Sequence, residues 1–255
     1  MMADERFESV LDPGQPALAG PEILSSHLSL RWDFFRLLAS MTLRVLFGWR
    51  IEGRKNLPPG PCVIIANHLN WLDSFAVLMA LPSRPKVYLL GWADVLDTRK
   101  LSWLIRKSGV GFIPVERDQS AFPAATLVAW RRMQRCLAEG AVLALYPEGT
   151  VGHDEGKLLP FHSGFARVAL AAAVPVVPVA LSGTRELWFR KRILVRIGRP
   201  LDPDGQTNDS LVESSRAALQ RLLPVYRPAR GPKLGRGRLT RLIPALTDTQ
   251  ADADR

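Results

Sequence analysis

From Pro61 onward the chain alternates short β-branched apolar runs with longer stretches of helical periodicity, the order that a sheet with crossover helices requires. "PCVIIA" predicts a strand and "SFAVLMAL" a helix. "KVYLL" and "VGFIPV" predict the next two strands, separated by a Trp-rich, basic stretch that carries Trp92, Arg99, Lys100, Trp103, Arg106 and Lys107. Between Ala124 and Glu139 the spacing places Leu127, Trp130, Met133 and Leu137 on one side of a helix that Gly140 stops. "AVLALYP" reads as a fourth strand, "GFARVALAAA" as a helix, "PVVPVAL" as a fifth strand and "RILVRIG" as a sixth, and Asp209 to Leu223 closes the series as a helix. No internal repeat breaks this alternation. The expected fold is α/β, a mixed, largely parallel sheet flanked by helices, over residues 53–226.

Residues 25–52 follow a different pattern. The run Leu28 to Arg50 is oily, but Arg36 and Arg44 leave only seven uninterrupted apolar or neutral residues between them. A spanning helix needs roughly 20. At helical spacing Asp33, Arg36, Ser40 and Arg44 form a polar stripe, with Phe34, Leu38, Met41 and Val45 on the opposite side. That distribution suits a helix lying in a membrane interface, and 25–52 is expected to be an amphipathic interfacial helix region; the alternative is an amphipathic helix packed on its own domain. Residues 1–24 are acidic and loop-like, with no cationic start leading into an apolar stretch, and are expected to be a flexible segment without a signal peptide. Residues 227–255 bring six Arg or Lys by Arg241, interspersed with Pro and Gly, and are expected to form a flexible basic tail.

Charge narrows the partners. With 255 residues, a formal charge of +10 and a sequence pI near 10.3, the chain calls for an acidic partner: nucleic acid, an anionic membrane or a phosphorylated substrate. Its two cysteines, Cys62 and Cys136, sit inside apolar runs without a CxxC or Cys/His cluster, which argues against a disulfide framework and a zinc site. A reducing, cytoplasmic setting is the default.

Polar residues gather just past several strand ends, where ligands bind in open α/β sheets. His68 and Asp73 follow the first strand, Arg117 follows "GFIPVE", and Glu148, Gly149 and Thr150 follow "AVLALYP". A neutral imidazole can take a proton from a hydroxyl while a carboxylate on its other nitrogen fixes the tautomer. No GxSxG nucleophile elbow accompanies the pair. An acceptor's own hydroxyl can fill that place and attack an acyl thioester directly, with no metal. Water in the same position would make the protein a thioesterase, and the charge alone would suit a non-catalytic module binding nucleic acid or anionic membrane.

"NHLNWLD", "GFIPVER", "YPEGT" and "VPVVPV" occur in that order and resemble the four sequence blocks of the glycerolipid acyltransferase family, which includes bacterial 1-acylglycerol-3-phosphate acyltransferases. The resemblance implies His68 as general base, Asp73 as its orienting partner and Arg117 as a ligand of the acceptor's phosphate. It further implies that Glu148, Gly149 and Thr150 shape the acceptor site. The reaction it implies is O-acyl transfer from acyl-CoA or acyl carrier protein, as co-substrate and with no cofactor, to a lysolipid, forming phosphatidic acid. The expected setting is the cytoplasmic face of an anionic membrane, with no nucleic acid partner. Two departures leave other lysolipids open as acceptors: many relatives carry a basic residue after "EGT" and a Lys after "LPF", where this chain has Val151 and His162.

Overall fold

The computed structural model describes residues 30–92, 111–116, 123–227 and 231–243. Arg117 and the Trp-rich stretch beyond Trp92 lie outside them, as do residues 1–24. The described helices are α1 (Leu30–Leu46), α2 (Leu72–Ala80), α3 (Pro123–Ala138), α4 (Gly164–Ala172), α5 (Asn208–Leu222) and the short α6 (Arg236–Thr240). The strands are β1 (Gly48–Glu52), β2 (Cys62–Ala66), β3 (Val87–Trp92), β4 (Gly111–Val115), β5 (Val142–Leu145), β6 (Val176–Ser182) and β7 (Arg192–Ile197).

All seven strands form one sheet in the order β1-β7-β6-β2-β5-β3-β4. Every pairing is parallel except β6 with β7, so the sheet is mixed and largely parallel, as expected. All five residues of β2 are buried, because it lies near the middle of the sheet with helices on both sides. Val63 and Ile65 point into a core shared with α3 and α4, through Ala129, Leu137, Phe165 and Val168. Cys62, Ile64 and Ala66 point the other way, to Ala76, Val77 and Ala80 of α2. Burial pushes the Cys62 thiol up to about 12 and the Cys136 thiol up to about 11, so both behave as small apolar side chains.

Strand β1 falls inside 25–52, the region that helical periodicity had assigned to the interface. Its five residues give too short a signal to stand out, yet Trp49 and Ile51 alternate inward while Arg50 is exposed. The segment that precedes it is helical as expected. Leu43 and Phe47 at its C-terminal end are buried against Leu72, Met79, Leu187 and Ile193. Its other apolar residues face outward: Phe34 is 68% exposed, Leu37 59%, Leu38 54%, Met41 59% and Val45 63%. The Arg36 guanidinium donates to the Leu81 carbonyl, so part of the polar stripe is turned to the domain. No helix among the described residues is long and apolar enough to cross a membrane.

The basic extension also holds a docked portion. Leu239 and Ile243 pack on the cluster around Leu43, Phe47 and Trp71, and the Leu187 amide donates to Thr240 Oγ1 at 3.0 Å. The loop that carries Leu187 is itself held by the half-buried Glu155 carboxylate, which accepts from the amides of Gly183 and Arg185.

Leu187 thus joins α1, α2, β7 and the C-terminal segment in one apolar cluster and is fully buried. Leu187→Ala should lower the unfolding free energy by about 2–5 kcal/mol, the range for truncating a buried leucine. Denaturant unfolding of both proteins measures this; a loss below about 1 kcal/mol would mean that the cluster collapses onto the vacated space.

Candidate active site

Two adjacent parallel strands, β2 and β5, deliver the polar groups. The chain leaves β2 at Ala66 and turns through residues 67–71 into α2, so the loop is short and its polar backbone must be satisfied within a buried setting. Asn67, 1% exposed, meets this need toward β6: its Nδ2 donates to the Leu181 carbonyl at 3.0 Å and its Oδ1 accepts from the Leu181 amide at 2.8 Å. Asp73 meets it from the other end. One oxygen, Oδ2, accepts from the amides of Leu69 and Asn70 and from His68 Nδ1, the last at 2.8 Å. Asp73 is fully buried and stands in the first turn of α2, where the helix dipole favours its negative charge.

Because a carboxylate oxygen only accepts, the 2.8 Å contact puts a proton on His68 Nδ1 and leaves the lone pair on Nε2. The imidazole is held on its flat side too. The Tyr146 ring stacks on it, with centroids 4.1 Å apart and planes 14° off parallel. Burial raises the Tyr146 phenol well above its usual range, so it keeps its proton and hydrogen-bonds Ser74 Oγ at 3.0 Å.

The His68 backbone is clamped by the turn after β5. Glu148 Oε1 accepts from the His68 amide at 3.2 Å, and Oε2 accepts from the Leu159 amide at 2.9 Å. The Gly152 amide donates to the His68 carbonyl at 2.7 Å. A Cβ on Gly152 would stand 3.2 Å from that carbonyl oxygen and 3.3 Å from Leu69 Cδ2, so a side chain there would push these neighbours by a few tenths of an ångström. Gly149, at φ 66°, and Thr150 are half-buried in the same turn.

Of the six residues singled out from the sequence, His68 and Asp73 are brought into direct contact, and Glu148, Gly149 and Thr150 lie in the turn beside them. Arg117 lies outside the described residues. Sequence reasoning missed Asn67, Tyr146 and Gly152. Asn67 stands immediately before His68 at a strand end, which is a readable signal; the Tyr146 stack and the Gly152 approach are made across the sheet and leave none. The two departures have distinct surroundings: Val151 is buried in the core, whereas His162 is exposed and gives its amide to the Pro147 carbonyl at 2.8 Å. Lys157, the first lysine or arginine after Val151, pairs with Asp154 at 2.8 Å.

A histidine oriented for proton transfer at a parallel-strand end is compatible with several acyl-transfer and hydrolytic reactions, and comparison with known proteins narrows them. The family model described as Acyltransferase matches residues 48–182, from β1 to the end of β6. The chain belongs to the acyltransferase family. Its relatives include the human 1-acyl-sn-glycerol-3-phosphate acyltransferase alpha, 30% identical over 204 residues that cover 74% of this chain and 68% of that protein. The corresponding mouse enzyme is 29% identical over 209 residues, covering 76% and 70%. The Saccharomyces cerevisiae 1-acyl-sn-glycerol-3-phosphate acyltransferase is 26% identical over 204 residues, covering 77% and 64%. Among solved structures, the 1-acyl-sn-glycerophosphate (LPA) acyltransferase PlsC from Thermotoga maritima superposes with a TM-score of 0.60 at 21% identity, covering 74% of this chain and 77% of that one. Likeness at that identity establishes the shared fold.

In this acyltransferase Glu148 is buried, and burial raises its carboxyl above the ordinary 4.5 against the pull of the Leu159 and His68 amides. A raised carboxyl contributes stability that is full below 4.5 and is lost as pH rises through the folded value. Glu148→Gln should remove that part of the pH dependence. Unfolding free energies measured from about pH 4 to about pH 7 should fall more steeply for the wild type than for the variant, and equal slopes would show that the Glu148 charge is fully compensated in the fold.

Proposed function

We propose that this acyltransferase moves a fatty acyl group from acyl-CoA or acyl carrier protein to the free hydroxyl of 1-acylglycerol-3-phosphate, forming phosphatidic acid for phospholipid synthesis. The observation that carries the proposal is the 2.8 Å contact of His68 Nδ1 with Asp73, inside a span that matches relatives named for this reaction. His68 Nε2 takes the acceptor's hydroxyl proton as the oxygen attacks the thioester carbonyl. The tetrahedral intermediate then collapses with cleavage of the C–S bond. The imidazolium returns its proton to the departing thiolate, so an ester and a free thiol leave. Asp73 holds the imidazole and stabilises its charged form while the proton is resident. Arg117 would grip the acceptor's phosphate through its planar fork. Gly149 and Thr150 would border the acceptor, and Glu148 would act by holding the His68 amide.

The acceptor and the product are lipids, and the outward apolar face of α1 suits a peripheral or monotopic position at an anionic membrane surface, on its cytoplasmic side. A second acceptor reading rests on Val151 being buried: the position where many relatives carry a cation contributes none here. A lysolipid without a terminal phosphate is then the alternative, and a panel of lysolipids with labelled acyl-CoA, products read by mass, decides between the two.

His68→Gln should keep the fold yet lower turnover by about 100-fold or more, the range for loss of a general base. Turnover close to that of the wild type would remove His68 from the chemistry. Replacing both Phe34 and Leu38 with Ser should release the protein from phospholipid vesicles, since each buried side chain of this size contributes about 1.5–3 kcal/mol. Unchanged sedimentation with vesicles would mean that the face serves another contact.

A further inference from the structure

Residues 231–243 carry Lys233, Arg236, Arg238 and Arg241 and no acidic residue. Their inner side lies on the catalytic loop: Trp71 Nε1 donates to the Leu239 carbonyl at 3.0 Å and Asn70 Nδ2 to the Thr240 carbonyl at 3.3 Å. Glu186 pairs with Lys233 and Arg236 and fixes the start of the segment. The outer side presents Arg238 and Arg241, both exposed, between Leu234 at 72% and Leu242 at 57% exposure.

This outer side continues into α1 through two backbone bonds. The Phe189 amide donates to the Leu234 carbonyl at 2.9 Å, and the next amide, that of Arg190, donates to the Leu46 carbonyl at the end of α1 at 2.6 Å. Phe189, 44% exposed, and the exposed Arg190 therefore bridge the C-terminal segment to Val45 and the apolar face of the helix. Large apolar side chains interleaved with arginines along one short element match a lipid interface, where rings and leucines meet acyl chains and guanidinium groups meet headgroup phosphates. A nucleic acid would use the arginines and leave the leucines without a partner.

We infer that residues 231–243, with the Phe189–Arg190 turn, form a second lipid-contact surface that extends the α1 face to the border of the catalytic loop and binds anionic headgroups. The inference rests on the membrane position given above and adds a site that α1 does not provide. The test is binding of the full-length protein to phosphatidylcholine vesicles with and without phosphatidylserine. Arg238→Gln with Arg241→Gln should weaken binding to the anionic vesicles about 30-fold at low salt and leave binding to neutral vesicles unchanged. Arg238→Lys with Arg241→Lys should retain the anionic affinity. Leu234→Ser with Leu242→Ser should weaken binding to both kinds of vesicle. These side chains are exposed, and unchanged thermal unfolding of each variant shows that it is folded. Wild-type affinity of the glutamine variant for anionic vesicles overturns the inference, and so does a loss confined to duplex DNA, which would make the surface a nucleic-acid site. The Phe34 and Leu38 serine variant separates the two claims. If it alone loses vesicle binding, α1 is the membrane contact and the C-terminal surface is not; if no variant loses binding, both readings fall.

Discussion

The site depends on three donors that converge on one oxygen of a buried carboxyl, Asp73 Oδ2. Asp73 has no exposure to water, and a carboxyl so placed is stable in the fold only if donors replace its hydration. Two of them come from the backbone of the loop that leaves β2, and the third is the histidine that the loop carries. One group therefore shapes the turn, holds the N-terminal end of α2 and sets the tautomer of His68. The same bonds that offset the burial of the carboxyl orient the His68 imidazole, so local stability and the geometry of the candidate site are a single property here.

The opposite side of His68 is held by a different means. Glu148 is also buried, but its two oxygens receive backbone amides from segments far apart in sequence, His68 and Leu159. Gly152 completes the clamp on the carbonyl, and Tyr146 limits rotation of the ring. Under the proposed mechanism, preorganisation of this kind would remove reorganisation at the moment of proton transfer, because the imidazole is already positioned. Burial raises the Glu148 carboxyl above its ordinary value while the two amides pull it down.

The lower part of the molecule shows the reverse of ordinary surface economy. Apolar side chains of α1 face outward, while Arg36 turns inward to a carbonyl and the helix's C-terminal end is sealed into the Leu187 cluster. A contiguous exposed apolar face on a helix so well anchored marks an interaction surface rather than an incomplete core. The C-terminal segment shares that cluster and reaches the Asn70–Trp71 corner of the loop after β2, so the outward face and His68 are linked through a few contacts.

The alternation of apolar runs and helical periods was enough to read the α/β class, the order of six strands and the placement of His68, Asp73 and Glu148 at strand ends, because each of these is encoded over a handful of neighbouring residues. The four ordered blocks carried the family for the same reason. Strand β1 escaped because five residues of alternating burial have no strength against the long helical run before them, and its partner β7 lies far along the chain. Read locally, the stretch after Tyr226 has the composition of a loose tail; its docking on Trp71, Asn70 and Leu187 arises from partners more than fifty residues away, which composition cannot express. Likewise, an aspartate five residues after a histidine is only a spacing in the sequence. The turn between β2 and α2 converts it into a hydrogen bond, and only the packing of β5 against β2 brings Tyr146, Glu148 and Gly152 around the imidazole, because those contacts are made across the sheet rather than along the chain.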